Sequence, residues 1–158
     1  MRKLNKEQAL QKLRHYCGYQ ERSHKEVKDK LYSLGLYKQD VEEAISKLIE
    51  EDYLSEERFA VSFAGGHFRS KQWGRVKISY ELRKKGVSAY CISKALKEID
   101  EEEYLKTIRH LARKKSESLD KEGLNAFARQ QKIMNYMMQK GFEPQMIQQQ
   151  LKANKEQE

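Results

Sequence analysis

Proline is almost absent from this sequence: Pro144 is the only one in 158 residues. No Asn-Gly or Asp-Gly pair separates alternating apolar runs either, so the usual punctuation of hairpins is missing and the chain reads as all-α. Cysteine is nearly as scarce. Cys17 and Cys91 form no C-x-x-C pair, which excludes a disulfide-stapled scaffold and predicts two reduced thiols. No window approaches the roughly 18 consecutive apolar residues of a membrane span. The start, MRKLNKEQALQKL, mixes both charge signs and reads as an amphipathic helix rather than an export signal, so a soluble, cytoplasmic protein is expected. Catalytic signatures are missing too. His15, His24, His67 and His110 are scattered, and His15 and Cys17 lie at a spacing that fits no metal motif. There is no G-x-S-x-G, Walker A loop or dinucleotide fingerprint. The Gly65-Gly66 pair lacks a following Lys-Ser or Lys-Thr and reads as a kink or flexible joint. These absences point away from an enzyme and call for neither metal nor cofactor.

What the sequence has in quantity is charge. Charged residues make up 35% and apolar residues 38%, with a mean hydropathy of −0.97. That suits small helical units with much exposed surface better than one large core. Ser23 followed by Glu26 has the form of a capping box, so a helix is expected from about His24, after a first helix over about 5–19. Gly35, Gly86 and Gly141 each follow a helical apolar pattern and precede another, as left-handed glycines that close helices do. Aligning on them exposes a repeat. Val27 and Leu31, Ile78 and Leu82, and Ile133 and Met137 stand at matched positions before the glycines; Val41 and Ile45, Ile92 and Leu96, and Ile147 and Leu151 stand at matched positions after them. The four-residue spacing puts each pair on one helix face. A leading helix completes each unit, with Phe59 and Phe63 inward in the second, and Leu105, Ile108 and Leu111 in the third. The expected architecture is three tandem three-helix modules over residues 1–53, 54–99 and 100–158, stacked as an elongated, curved array, with the last helix prone to fray. The alternative is one globular bundle that keeps the repeat as a trace.

The net charge of +8 is unevenly spread. Residues 37–57 are acidic, whereas residues 65–97 are strongly cationic. The helix needs Ile78 and Leu82 inward, which leaves Arg75, Lys77, Arg83 and Lys84 pointing outward, flanked by Arg69, Lys71 and Lys85; the third module adds Arg109, Arg113, Lys114 and Lys115. Such a face attracts polyanions, although cations near a helix C-terminus also complement its dipole and charge runs also serve solubility. Trp73, within SKQWGR, can either stack on a base or partner or seal a joint between helices.

Three strings carry a resemblance: ERSHKEVKDKL, DYLSEERFAVSF and KQWGRVKISYELRKKGV. Arg22 and Ser23 before a helix, then Leu54, Glu56 or Glu57, Phe59 and Ala60, then Lys71, Gly74, Ile78, Glu81, Leu82, Lys85 and Gly86 resemble the pattern of the RecX family, over roughly residues 8–152. The resemblance implies three tandem three-helix modules and a protein that binds RecA filaments assembled on DNA and modulates, chiefly inhibits, their ATPase and strand exchange in DNA repair, recombination and the SOS response. It implies RecA and DNA as partners, the DNA met mostly through phosphates by a monomeric protein. One departure is Asn154, where Leu48 and Ile99 stand in the other modules. The competing class is a stand-alone helical DNA-binding protein. For base reading, the second module offers only Ser88, Ala89 and Tyr90 at the start of its last helix, and the third offers Gln145, Gln148 and Gln149.

Overall fold

The computed structural model describes the backbone of residues 4–156 and the side chains of residues 4–154. The helices are α1 (Lys6–Tyr19), α2 (His24–Ser33), α3 (Lys38–Glu50), α4 (Glu56–Lys71), α5 (Arg75–Lys84), α6 (Ala89–Lys97), α7 (Glu101–Ser118), α8 (Ala126–Gln139) and α9 (Pro144–Glu156), with one 3-10 turn at Asp120–Glu122 before α8. No strand occurs among the described residues, and the helices fall into three tandem sets of three.

Short polar side chains start most of these helices by accepting hydrogen bonds that the first turn cannot satisfy internally. Ser23 and Glu26 form the expected capping box at 3.0 and 3.2 Å, and Asn5 with Gln8 forms a second one at α1. Ser55, Ser88, Asp100 and Asn125 play the same part for α4, α6, α7 and α8. Pro144 opens α9, at the one helical position where a missing N–H is harmless. That helix continues past Asn154 to Glu156.

All three repeat glycines are left-handed, with φ of 93°, 82° and 97°, and close α2, α5 and α8. Each is followed by an apolar residue, Leu36, Val87 or Phe142, whose N–H returns to a carbonyl five residues back and whose side chain is buried. This glycine-plus-apolar stop reverses the chain and anchors the reversal in the core. The pairs before the glycines are buried throughout. After them only Val41, Ile92 and Ile147 are; Ile45, Leu96 and Leu151 are half-buried, and the inward position is one residue earlier, at Ala44, Ala95 and Gln150. Similarly, Phe63 and Leu105 are half-buried while Ala64 and Tyr104 are buried, the last with no exposure at all. The Gly65-Gly66 pair breaks nothing, since α4 runs through it. A Cβ at Gly65 would lie 2.8 Å from the Arg69 guanidinium, so this glycine makes room for that side chain.

Two compact units form, one from residues up to Phe63 with Leu82–Ala95, the other from Ala64–Glu81 with residues from Leu96 onward. In the first, α1, α2 and α3 bury Leu13, Val27, Leu31, Val41, Leu48 and Leu54 in one cluster. Arg14 bridges α1 to Glu51 at 2.8 Å, and Arg58 bridges Glu21 and Asp52 at 3.0 and 2.8 Å. In the second, α7, α8 and α9 pack on one another, and the turn before α5 joins the turn between α8 and α9 through main-chain groups. The Gly74 N–H donates to the Lys140 carbonyl at 2.8 Å and the Val76 N–H to that of Gly141 at 2.9 Å. A Cβ at Gly74 would meet the Gly141 carbonyl group at 2.3 Å, and a Cβ at Gly141 would meet Lys77 Cβ at 2.3 Å. Only two glycines allow the backbones this close.

Candidate functional site

The joint decides which of the expected cations remain available. Arg75 does not: its guanidinium lies 3.9 Å from the centre of the Tyr104 ring and pairs with Glu101 and, at 3.4 Å, with Glu143. The expectation that Arg75 points outward is therefore corrected. Burial works against its charge, but the Glu101 hydrogen bond and nearby negative groups more than offset that and raise its pKa. Tyr104 completes the network by accepting the Arg75 backbone N–H at 2.9 Å and donating to the Glu143 carboxylate. Burial pushes its phenol far above the ordinary range, and the Glu143 hydrogen bond adds to that. Arg109 is likewise engaged, donating to Gln150 at 2.7 Å. Both act as internal braces.

Around Trp73 the outcome differs. Gln72 takes a left-handed conformation, φ 56°, that ends α4, and Trp73 lies back on the helix with its ring stacked on His67 at 4.5 Å. A non-glycine residue in that region carries strain of about 1 kcal/mol. The tryptophan thus both packs and organises charge: the ammonium groups of Lys77 and Lys71 lie 4.7 and 5.2 Å from its ring centre, favourable cation–π distances. Lys140, outside the expected set, donates to the Lys71 carbonyl at 3.2 Å and lies 5.8 Å from the ring centre of Tyr136. Lys115 lies over that same ring at 5.1 Å. Lys71, Lys77, Lys140 and Lys115 are thereby gathered beside two aromatic rings, and none of the four makes an ion pair with a described residue.

The other expected cations are not all part of this cluster. Arg69 is exposed beside Gly65, and Arg113 and Lys114 are exposed on α7. In the first unit Arg83 and Lys84 are exposed at the end of α5, and Lys85 lies 5.8 Å from the Phe63 ring centre. Lys94, outside the expected set, is held by Tyr90 and Glu57, which raise its pKa. Among the described residues no three His, Cys, Asp or Glu side chains are grouped as a metal site, and no helix is long and apolar enough to cross a membrane. What the cluster around Trp73 can do is bind anions: a field of fixed positive charge beside aromatic faces suits phosphodiesters or carboxylate-rich protein.

Comparison with known proteins agrees with the three tandem three-helix modules. Three family domains match in order: RecX, first three-helix domain, over residues 9–48; RecX, second three-helix domain, over 55–96; and RecX, third three-helix domain, over 101–151. A protein named Regulatory protein RecX from Pelodictyon phaeoclathratiforme is 34% identical over 131 residues, which is 83% of this chain and 79% of the relative. One of the same name from Clostridium perfringens is 33% identical over 122 residues, 77% of this chain and 57% of the relative. The chain spans about half the length of several such relatives, 48% for the one from Oceanobacillus iheyensis. Among solved structures, the crystal structure of RecX from Lactobacillus salivarius superposes with a TM-score of 0.86 at 26% identity, covering 94% of this chain and 95% of that one.

Proposed function

As the chain belongs to the RecX family, we propose that it is a non-enzymatic regulator, chiefly an inhibitor, of the RecA recombinase. It acts in the cytoplasm by binding the RecA–DNA filament and slowing its ATPase, strand exchange and growth. The observation that carries the reading beyond family membership is the group of four lysines around Trp73 and Tyr136 that have no carboxylate partner among the described residues. The cations that brace the fold here are taken up by carboxylate or amide partners, as Arg75 and Arg109 are. These lysines remain available to an external polyanion, and DNA phosphates on the filament are the partner we favour. Arg69, Arg113 and Lys114 add exposed positive charge to the same compact unit, whereas Arg75 and Arg109 serve the fold.

The test is ATP hydrolysis by RecA on single-stranded DNA, with this protein well below one copy per recombinase. Inhibition at that ratio is expected. The triple reversal K71E/K77E/K140E should abolish it while leaving the helical content unchanged. If the lysines meet phosphates, log affinity for the filament should fall with log salt, and the slope should shrink by roughly two to three in the triple variant, at about 0.7–0.9 per contact. Unchanged inhibition by the triple variant would remove this surface from the mechanism. Binding to naked DNA with no effect on RecA would favour a stand-alone DNA-binding protein instead.

A further inference from the structure

The aromatic rings of the second unit differ in how much of each is left open. Phe68, Tyr104 and Phe142 are buried, while Trp73 and Tyr136 are half-buried beside the lysines gathered round them. Trp73, whose sequence setting suits stacking on a base, already has His67 stacked on it at 4.5 Å. Of these rings only Tyr80 and Phe127 stand well exposed, at 57% and 78%. Single exposed apolar residues are ordinary, and it is position that separates the two. Tyr80 follows Lys77 by three residues on α5 and Val76, itself 53% exposed, by four, spacings that put all three on one side of the helix. The Lys77 ammonium lies 4.7 Å from the Trp73 ring centre and belongs to the lysine group that meets no carboxylate among the described residues. Phe127 lies in the first turn of α8, where the cation Arg129 is tied to Ser116 and Asp120.

A polyanion on these lysines is therefore held about one helical turn from an exposed phenol ring. In a duplex each base face is covered by its neighbours, so phosphates meet the lysines and the ring adds nothing. In a single strand a base can turn out and stack, and any base serves because every base has a π-face. Cations that track the backbone beside an aromatic that takes a base are the two parts of a single-strand site. We propose that Tyr80 is a stacking platform for an unpaired base of a strand whose phosphates lie on the lysine group, so that the chain holds single-stranded nucleic acid in preference to duplex. Val76 gives that base an apolar neighbour on the same side of α5. The proposal rests on the polyanion reading above and narrows it: the lysines supply an attraction that single strand and duplex share, and the ring supplies the difference between them.

Fluorescence anisotropy at low salt decides it, with labelled probes of one length: oligothymidylate, an abasic strand with the same phosphates, and a duplex. The wild-type chain should hold oligothymidylate more tightly than either of the others. Tyr80→Leu keeps an apolar side chain but offers no π-face, so it should weaken oligothymidylate binding at least about 5-fold, leave the abasic strand and the duplex unchanged, and keep the helical content. Tyr80→Phe should bind as the wild type does, and Phe127→Leu, which removes the other exposed ring, should change nothing. A wild-type chain that holds the abasic strand as tightly as oligothymidylate, or a Y80L variant that loses no more on oligothymidylate than on the duplex, overturns the stacking. So does a Y80L variant that stops inhibiting RecA with its DNA binding intact, since the ring would then meet protein. Should Y80L fail to fold, Tyr80→Gln at the same exposed position is read in the same way. The triple reversal K71E/K77E/K140E should weaken all the probes; probes that it leaves unmoved would refute the lysine reading, and the comparison of Y80L with Y80F would still judge the ring.

Discussion

Three glycine-to-alanine variants separate backbone strain, read at Gly86 of the first unit, from steric contact at the joint of the second, read at Gly74 and Gly141. Gly86→Ala forces a side chain onto a left-handed residue, φ 82°, with nothing within 4 Å of the new Cβ, so strain alone is expected, about 1 kcal/mol. Gly74→Ala is the converse. Its φ is ordinary, but the new Cβ would lie 2.3–2.5 Å from main-chain atoms of Gly141 and Phe142, which cannot rotate away. The turns must part, and the hydrogen bonds of 2.8 and 2.9 Å from the Gly74 and Val76 amides are lost. The Gly74 amide is buried and the Val76 position exposed, so the loss should come to about 2–3 kcal/mol, most of it from the orphaned Gly74 group. Gly141→Ala combines both effects, φ 97° and a contact with Lys77 Cβ, and should reach about 3–4 kcal/mol. At about 2–4 °C per kcal/mol for a chain of this size, G86A should lower Tm by roughly 2–4 °C and G74A by roughly 4–12 °C. Hydrogen exchange supplies the local readout: the Gly74 and Val76 amides should lose protection in G74A and G141A and keep it in G86A. Equal losses in G74A and G86A, or retained protection in G74A, would refute the account of the joint.

Replacing Tyr104 by Phe keeps the ring contacts with Phe68 and Phe142 but removes the hydroxyl between the Arg75 amide and Glu143; a loss of about 1.5–3 kcal/mol in urea denaturation is expected. The same residue sets an alkaline limit. Its folded pKa lies above the ordinary 10.0, so the stability it contributes is complete below pH 10 and declines as pH rises further, and absorbance at 295 nm should show one tyrosine that ionises only on unfolding. On the acid side, the Arg14 hydrogen bond lowers the Glu51 pKa, so that pair stabilises above the ordinary carboxylate range and weakens as pH falls; Glu51→Gln should flatten the acid limb of a pH–Tm profile. Burial raises the Cys17 pKa, and Cys17→Ser should remove a thiol that reacts with alkylating reagents in the native protein far more slowly than in urea.

The helices and their order were legible because their determinants are local. Ser23 and Glu26 cap within one turn, and each closing glycine acts on the helix just before it. The exact inward line was less so. A four-residue apolar spacing marks a face but not its midline, which packing sets at Ala44, Ala95 and Tyr104 rather than Ile45, Leu96 and Leu105. The cations divided for a related reason. Arg75 meets a carboxylate 68 residues away, and a guanidinium's fate depends on such a partner more than on its own helix. Lys140 did leave one trace, since a lysine precedes the closing glycine in the second module as in the third, but its approach to Lys71 depends on the joint.

That joint also imposes an order in time. Lys71 and Lys140 are 69 residues apart, yet meet in one cluster. A ribosome adding about 5–20 residues per second releases the second partner between about 3 and 14 seconds after the first. Until then the Gly74 and Val76 amides have no carbonyl to meet and the lysines around Trp73 lack their fourth wall. A nascent or prematurely terminated chain therefore carries the charge without the assembled surface, and the four lysines are gathered only with the last third of the polypeptide.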